Sequence, residues 1–190
     1  DELKLLYPNL PIFASLEALE ALEGYPLGIP AEFGGDATAY ANSQKTAIED
    51  VLLKSDYYAL SMYPFKIAYY NSDYPSTMFD DVFALNNGKT IAIAETGYTA
   101  ESFNAYGLTF VGSELKQKNF VKDLLVKSNQ YNVEFVTYFV LWDYDDLCAS
   151  LGLCGVDAFK IWKDTGLYYG LGDERNSLAV WKSYLSLPLN

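Results

Sequence analysis

Four short apolar runs set the frame of this chain: LPIFASL (Leu10 to Leu16), YYALSMY (Tyr57 to Tyr63), TIAIA (Thr90 to Ala94) and VEFVTYFVLW (Val133 to Trp142). Each is too short for a core helix and rich in β-branched or aromatic side chains, so each is read as a strand. Helical patterns lie between them. NSQKTAIEDVLLKS (Asn42 to Ser55) puts Ala47, Val51 and Leu52 on one face, behind a cap at Asn42 or Ser43. Pro75 to Leu85 starts on proline and serine and stops at Asn87-Gly88. Ser113 to Asn129 opens on Ser113 as a cap and directs Leu115, Phe120, Leu124 and Leu125 toward the core, and a last helix runs from about Glu174 to Leu185. Strand then helix, repeated, calls for parallel strands joined by right-handed crossovers. An open doubly wound sheet meets that pattern, and so does part of a (β/α) barrel. Both gather their sites at the C-terminal ends of strands, where the long segments Glu17 to Ala41, Pro64 to Tyr74, Thr96 to Gly112 and Asp143 to Asp173 fall.

The 190 residues, 51% of them hydrophobic, suffice for one ordinary domain with a sizeable core. A net charge of −12 repels phosphate backbones and anionic lipid, so neither nucleic acid nor membrane is the expected partner. No apolar run approaches the ~20 residues of a bilayer span. The opening DELKLLYPNLP reads as the last turns of a helix begun upstream. Histidine is absent, which excludes Ser-His-Asp and Cys-His nucleophile systems and most zinc sites. Cys148 and Cys154, in DLCASLGLCG, are read as a local disulfide, with two free thiols as the alternative; a disulfide favours an extracellular or periplasmic location.

The stretch IAIAETGY (Ile91 to Tyr98) ends a strand buried on both faces with a carboxylate, Glu95, and no turn residue between. A carboxylate at a strand end can merely cap a helix or pair with lysine. Here it opens a long loop on the side where sites are built, so a functional role is the better reading. IAIAETGY resembles the seventh-strand signature of the retaining (β/α)8-barrel glycoside hydrolases, the clan of cellulases, mannanases and arabinogalactan endo-galactanases. ALSMYPF (Ala59 to Phe65) is similar to their sixth strand, VTYFVLWDYDDL (Val136 to Leu147) to their eighth, and WKDTGLYYGLGDERNSLAVWKSYL to their closing segment.

That resemblance implies a single partial barrel over residues 1–190, about four strands numbered five to eight, with the N-terminal half outside this sequence. It makes Glu95 the nucleophile, Tyr63 the residue that positions it, and Trp142 the sugar platform. Retaining hydrolysis needs a second carboxyl that starts protonated. The clan takes it from an Asn-Glu pair ending the fourth strand, and no Asn-Glu pair occurs here, so the isolated chain is expected to be weak or inactive. Glu17, in FASLEALEALEG, is read with Glu20 and Glu23 as the wet side of a short helix rather than as a substitute acid.

Asp143, Asp145 and Asp146 lack the alternating-oxygen pattern and glycine of a calcium loop. They are read as orienting sugar hydroxyls or capping the short helix that follows, with Asp143, nearest Trp142, as the substrate-binding candidate, and no metal is implied. Gly88-Lys89-Thr90 lacks the first glycine of a phosphate loop, since Phe83 stands there, and Gly34-Gly35 lacks a dinucleotide setting; no cofactor follows. Seventeen tyrosines and three tryptophans offer flat faces suited to a pyranose, and Tyr98 joins Tyr63 and Trp142 as strand-end candidates. The leading expectation is therefore a retaining hydrolase of β-linked glycan. A non-catalytic half-barrel that binds glycan, or pairs with a second half from the same or another chain, is the alternative.

Overall fold

A computed structural model describes residues 2–22, 29–66, 73–170 and 172–186. After a short helix α1 (Glu2–Leu6) come β1 (Ser15–Leu16), α2 (Ala37–Leu52), β2 (Tyr57–Met62), α3 (Met78–Phe83) and β3 (Thr90–Thr96). A hairpin follows, β4 (Phe103–Ala105) and β5 (Leu108–Phe110), then α4 (Glu114–Gln130), β6 (Val136–Tyr138), α5 (Asp145–Leu151), α6 (Asp157–Lys163) and α7 (Asn176–Leu185). The four principal strands form one parallel sheet in the order β1-β2-β3-β6. Each crossover steps one strand further in the same direction, and nowhere does the order reverse. That is the winding of a barrel segment, whereas a doubly wound sheet turns back at a switch point.

Several boundaries differ from the sequence reading. The first strand was expected over Leu10 to Leu16, but only Ser15 and Leu16 pair with β2. Pro11 has no N–H for a ladder, and Ile12 is held by Asp56, whose carboxylate accepts from the Ile12 amide at 2.6 Å and whose own amide donates back at 2.7 Å. The fourth strand shrinks to Val136–Tyr138 because the chain leaves the sheet after Phe139, and Trp142 bridges to Tyr168 instead. Helix α2 begins at Ala37, capped by Asp36, which accepts from the Ala39 amide; Asn42 and Ser43 are interior residues, not caps. Ser113 caps α4 as expected, accepting from the Lys116 amide. Leu115 does not reach the core: it is 64% exposed, and the buried stripe is Phe120, Val121, Leu124 and Leu125. Glu23 lies outside the described residues.

The sheet has two unlike faces. Tyr58, Leu60 and Met62 of β2, with Ile91 and Ile93 of β3, pack with Leu52, Val82, Phe83, Phe120 and Leu124 of the helices. The other face carries a layer of rings near the start of the strands, Tyr57 against Phe13 at 5.8 Å and Phe135 at 6.2 Å between centroids. Above it come the small residues Ala59, Ser61 and Ala92. No helix among the described residues is long and apolar enough to cross a membrane.

Candidate active site

Glu95 owes its direction to an irregularity. Leu60 pairs with Ile93, but Ser61 pairs with Glu95 and Met62 with Thr96, so β3 spends one extra residue, Ala94, between these pairs. Strict alternation from Ile91 and Ile93 would send Glu95 into the helix-facing core. A bulge reverses the phase, putting Glu95 on the open face beside Ser61. Thr96 takes the core side, fully buried, its hydroxyl donating to the Met62 carbonyl at 2.6 Å.

Tyr63 follows β2 directly, is 2% exposed, and donates its hydroxyl to Glu95 Oε1. Burial, then the hydrogen bond and charge of Glu95, hold the phenol far above the ordinary tyrosine range, so it keeps its proton and remains the donor. Gly97 allows the neighbouring chain to close in: a Cβ there would collide with the Phe139 carbonyl oxygen and press on the Tyr63 ring. Two rings close on Tyr63, Trp162 centred 4.8 Å and Phe139 6.5 Å from it, and 5.2 Å from each other. Lys66 Nζ sits 4.1 Å from the Tyr63 ring centre and 4.0 Å from that of Trp162. Desolvation lowers the Lys66 pKa, while Glu17 and Glu95 pull it back up. Glu17 is pushed up to about 7, first by the dense surroundings of its carboxyl and then by Glu20 and Glu95, against the pull of Lys66. The residue keeps an exposed surface, and that access to water moderates the shift.

The disulfide Cys148–Cys154 is formed. It closes the turn between α5 and α6, and α6 carries Trp162 back over Tyr63.

The other predicted contacts do not converge on Glu95. Tyr98 is 1% exposed, packed among Phe65, Tyr74 and Phe120, so it presents no face to a sugar. Asp143 is likewise unavailable. Its side chain is 0% exposed; one oxygen accepts from the Gly166 amide at 2.7 Å and the other from Arg175, with Nη2 at 2.5 Å. Burial raises its pKa and Arg175 opposes that rise. Asp143, Asp145 and Asp164 bring oxygens within 4.8 Å of one another, but their charge is met by Arg175 and by Lys163, which contacts Asp145 at 2.7 Å and Asp164 at 3.2 Å. Trp142 is 45% exposed and stacks on Tyr168 at 4.6 Å. Among the described residues no ring contact joins it to the Tyr63 group.

The chain is similar to solved glycoside hydrolases. It superposes on an active-site mutant of Rhizomucor miehei β-1,3-glucanosyltransferase in complex with laminaritriose, with a TM-score of 0.43, 16% identity and coverage of 67% of this chain and 44% of that one. A GH2 β-galacturonidase from Eisenbergiella tayi, bound to glycerol, gives 0.49 at 17% identity, covering 80% of this chain and 31% of that one. A Ruminococcus gnavus β-glucuronidase gives 0.49 at 14% identity, covering 83% and 29%. The chain thus spans less than half the length of these proteins. No family model matches, and neither does any curated protein. At this level of similarity the fold assignment rests on the sheet topology.

Sequence reasoning passed over Lys66, Phe139 and Trp162 and set Glu17 aside. Lys66 left a signal, since it follows Tyr63 by three residues in YPFK. Trp162 left none, because a helix far along the chain delivers it.

Proposed function

We propose that the chain is the strand-five-to-eight half of a retaining glycoside hydrolase acting on β-linked, uncharged glycan, with Glu95 as its nucleophile. One observation carries this reading: a half-buried carboxylate at the C-terminal end of a central strand has one oxygen held by a buried tyrosine that keeps its proton. The free oxygen of Glu95 attacks the anomeric carbon as the C–O bond to the leaving group breaks. Tyr63 fixes the rotamer and releases the oxygen it holds as the glycosyl ester forms. Phe139 and Trp162 flank the reacting end, and the exposed edge of Trp142 suits a sugar unit further along the chain. Tyr98 and Asp143 take no part in this scheme. By the family resemblance, the proton donor belongs to strands that precede β1. The disulfide fits an oxidising, extracellular or periplasmic setting.

A second reading, the glycan-binding or self-associating half-barrel, draws on the open face, where Phe13 is 38% exposed beside Tyr57 and Phe135. The two readings part on covalent chemistry. A 2-deoxy-2-fluoro-β-glycosyl fluoride, whose leaving group departs without acid assistance, should add one sugar mass to Glu95, and Glu95→Gln should remove the label. An adduct on another residue, or one persisting in E95Q, would sink the nucleophile assignment.

A further inference from the structure

On the helix side of the sheet, a cavity of about 200 Å³ opens between the segment that enters α3 and the first turns of α4. Lys116, Asn119 and Asp123 form one wall, and their spacing of three and then four residues puts them on one face of α4. Asp73, Tyr74 and Ser76 form the other, and Tyr98 lines the cavity from the core. The backbone of Tyr98 is satisfied, its amide donating to the Tyr138 hydroxyl at 3.4 Å and its carbonyl accepting from Gln117 at 3.0 Å. Its ring packs on Phe65, Tyr74 and Phe120. The Tyr98 hydroxyl, by contrast, has no hydrogen-bond partner among the described residues, although the residue is only 1% exposed. Burial, then the charge of Asp73, push this phenol up to about 12, so it keeps its proton, and it acts in turn on the Tyr74 phenol. Asp73 and Tyr74 both line the cavity, so the hydroxyl end of Tyr98 lies toward it. A buried donor left without an acceptor is costly, and a ligand in the cavity would supply one.

The walls narrow the kind of ligand. Lys116 is tied to Asp73 at 2.8 Å, and Asp123 accepts from the Tyr74 hydroxyl at 2.9 Å. Two carboxylates against one ammonium that is already paired repel an anion. Each carboxylate keeps one oxygen with no hydrogen bond among the described residues, while the Asn119 carboxamide and the Ser76 hydroxyl can both donate and accept. A ligand that meets these groups must itself donate and accept at several points, as the hydroxyls of a sugar do. The volume falls below the ~300 to 1,000 Å³ of sites that enclose a drug-sized molecule, so the cavity suits a single ring. We propose that it is a second sugar-binding site, which takes one neutral hexose unit of a glycan and holds it outside the reaction centre. Tyr98 donates to one sugar hydroxyl, Asp123 and Asn119 accept from others, and the half-buried Tyr74 ring supplies apolar contact. Neither Glu95 nor Tyr63 lines the cavity, so this site stands whether or not Glu95 is a nucleophile.

The test is a nitrogen-15 titration of the 190-residue chain with methyl β-glucoside, methyl β-galactoside and methyl β-mannoside, and with inorganic phosphate in parallel. At least one glycoside should move the amide signals of Tyr74, Ser76, Tyr98 and the Asn119 turn of α4, with half-saturation in the millimolar range, and phosphate should not. E95Q should bind as the parent chain does, which separates this site from the nucleophile reading. Tyr98→Phe removes only the unpartnered hydroxyl and should weaken the glycoside about 3- to 10-fold. It should do so without lowering the melting temperature, whereas losing a hydroxyl bonded within the fold would lower it by ~2–4 °C. Asn119 is exposed, so Asn119→Ala keeps the fold and should weaken binding as well. No movement of these signals with any of the three glycosides up to ~100 mM overturns the proposal. So do shifts that phosphate produces in place of the sugars, binding undiminished in both Y98F and N119A, or a Y98F chain that loses stability as a bonded hydroxyl would.

Discussion

Replacing Arg175 with methionine should be the most damaging single change outside the sheet. The guanidinium is 1% exposed in its side chain and joins three parts of the chain. It donates through Nε at 3.1 Å and Nη2 at 2.5 Å to Asp143, just past β6, and through Nη1 to Glu114 in the first turn of α4, while itself preceding α7. Methionine fills much of the space but leaves the Asp143 carboxylate at 0% exposure, with only the Gly166 amide on its other oxygen. Stranding one partner of a buried ion pair costs about 3–5 kcal/mol, or ~6 to 20 °C in melting temperature for a chain of this size. Asp143→Asn in the R175M background should recover part of the loss, because a neutral amide is no longer an uncompensated charge. The loss should also grow with pH. Without Arg175 the Asp143 pKa rises further, so the native state holds that proton at pH values where the unfolded chain has released it, and stability falls as pH rises. Urea titrations of the parent chain, both single variants and the double variant at pH 5 and pH 8 measure all of this. An R175M loss under about 1 kcal/mol, or equal losses with Asp and with Asn at position 143, would refute the assignment of Asp143 and Arg175 as one buried unit.

Tyr63→Phe removes the donor to Glu95 and little volume; adduct formation by fluoroglycosides should slow at least ~10-fold, with folding stability changed by less than about 1.5 kcal/mol, both read by mass-monitored labelling and urea titration. Gly97→Ala sets a methyl group against the Phe139 carbonyl and the Tyr63 ring and should cost about 1–3 kcal/mol while slowing labelling, whereas Gly107→Ala, with open space around it, should leave labelling unchanged. Asp164, 6% exposed, is pushed up to about 6 mainly by burial and by Glu101, against Lys163. The folded chain then binds this proton more tightly than the unfolded one: its contribution is complete below about pH 4 and is lost as pH rises through 6, a change of roughly 3 kcal/mol at most. Asp164→Asn should flatten the stability profile across that window, and an unchanged slope would refute the assignment.

What the sequence disclosed follows from which forces are local. The parallel β/α plan could be read because apolar runs and capped amphipathic helices are properties of neighbouring residues, as the Ser113 cap illustrates. The hairpin at Phe103–Phe110 was missed. Its Tyr106-Gly107 turn adopts φ of 52° and 74°, the two-residue geometry for which Asn-Gly is the usual signal, and a tyrosine at the first position gives no warning. Asp143 looked like a sugar ligand because a carboxylate following a strand-end tryptophan is exposed unless something covers it. What covers it is Arg175, brought in by a segment that sequence reading placed only as a helix start. Trp162 joins Tyr63 for a similar reason, through packing between distant parts of the chain.

The bulge in β3 marks the boundary between these two kinds of information. In the structure Ile91 and Ile93 face the helices, and simple alternation from them would make Glu95 a buried core carboxylate, an arrangement that costs several kcal/mol without a partner. The reading of Glu95 as functional rested on its position at the strand end, and a strand read as buried on both faces gave no face for it. The resolution is non-local. Thr96 is satisfied by the Met62 carbonyl, the Phe139 amide donates to the Thr96 carbonyl at 2.6 Å, and Gly97 lets that neighbour approach. Two hydrogen bonds, one from each neighbouring segment, hold Thr96 on the core side and leave Glu95 turned outward. An acid that breaks the period of a buried strand is thus evidence for a bulge as much as for a site.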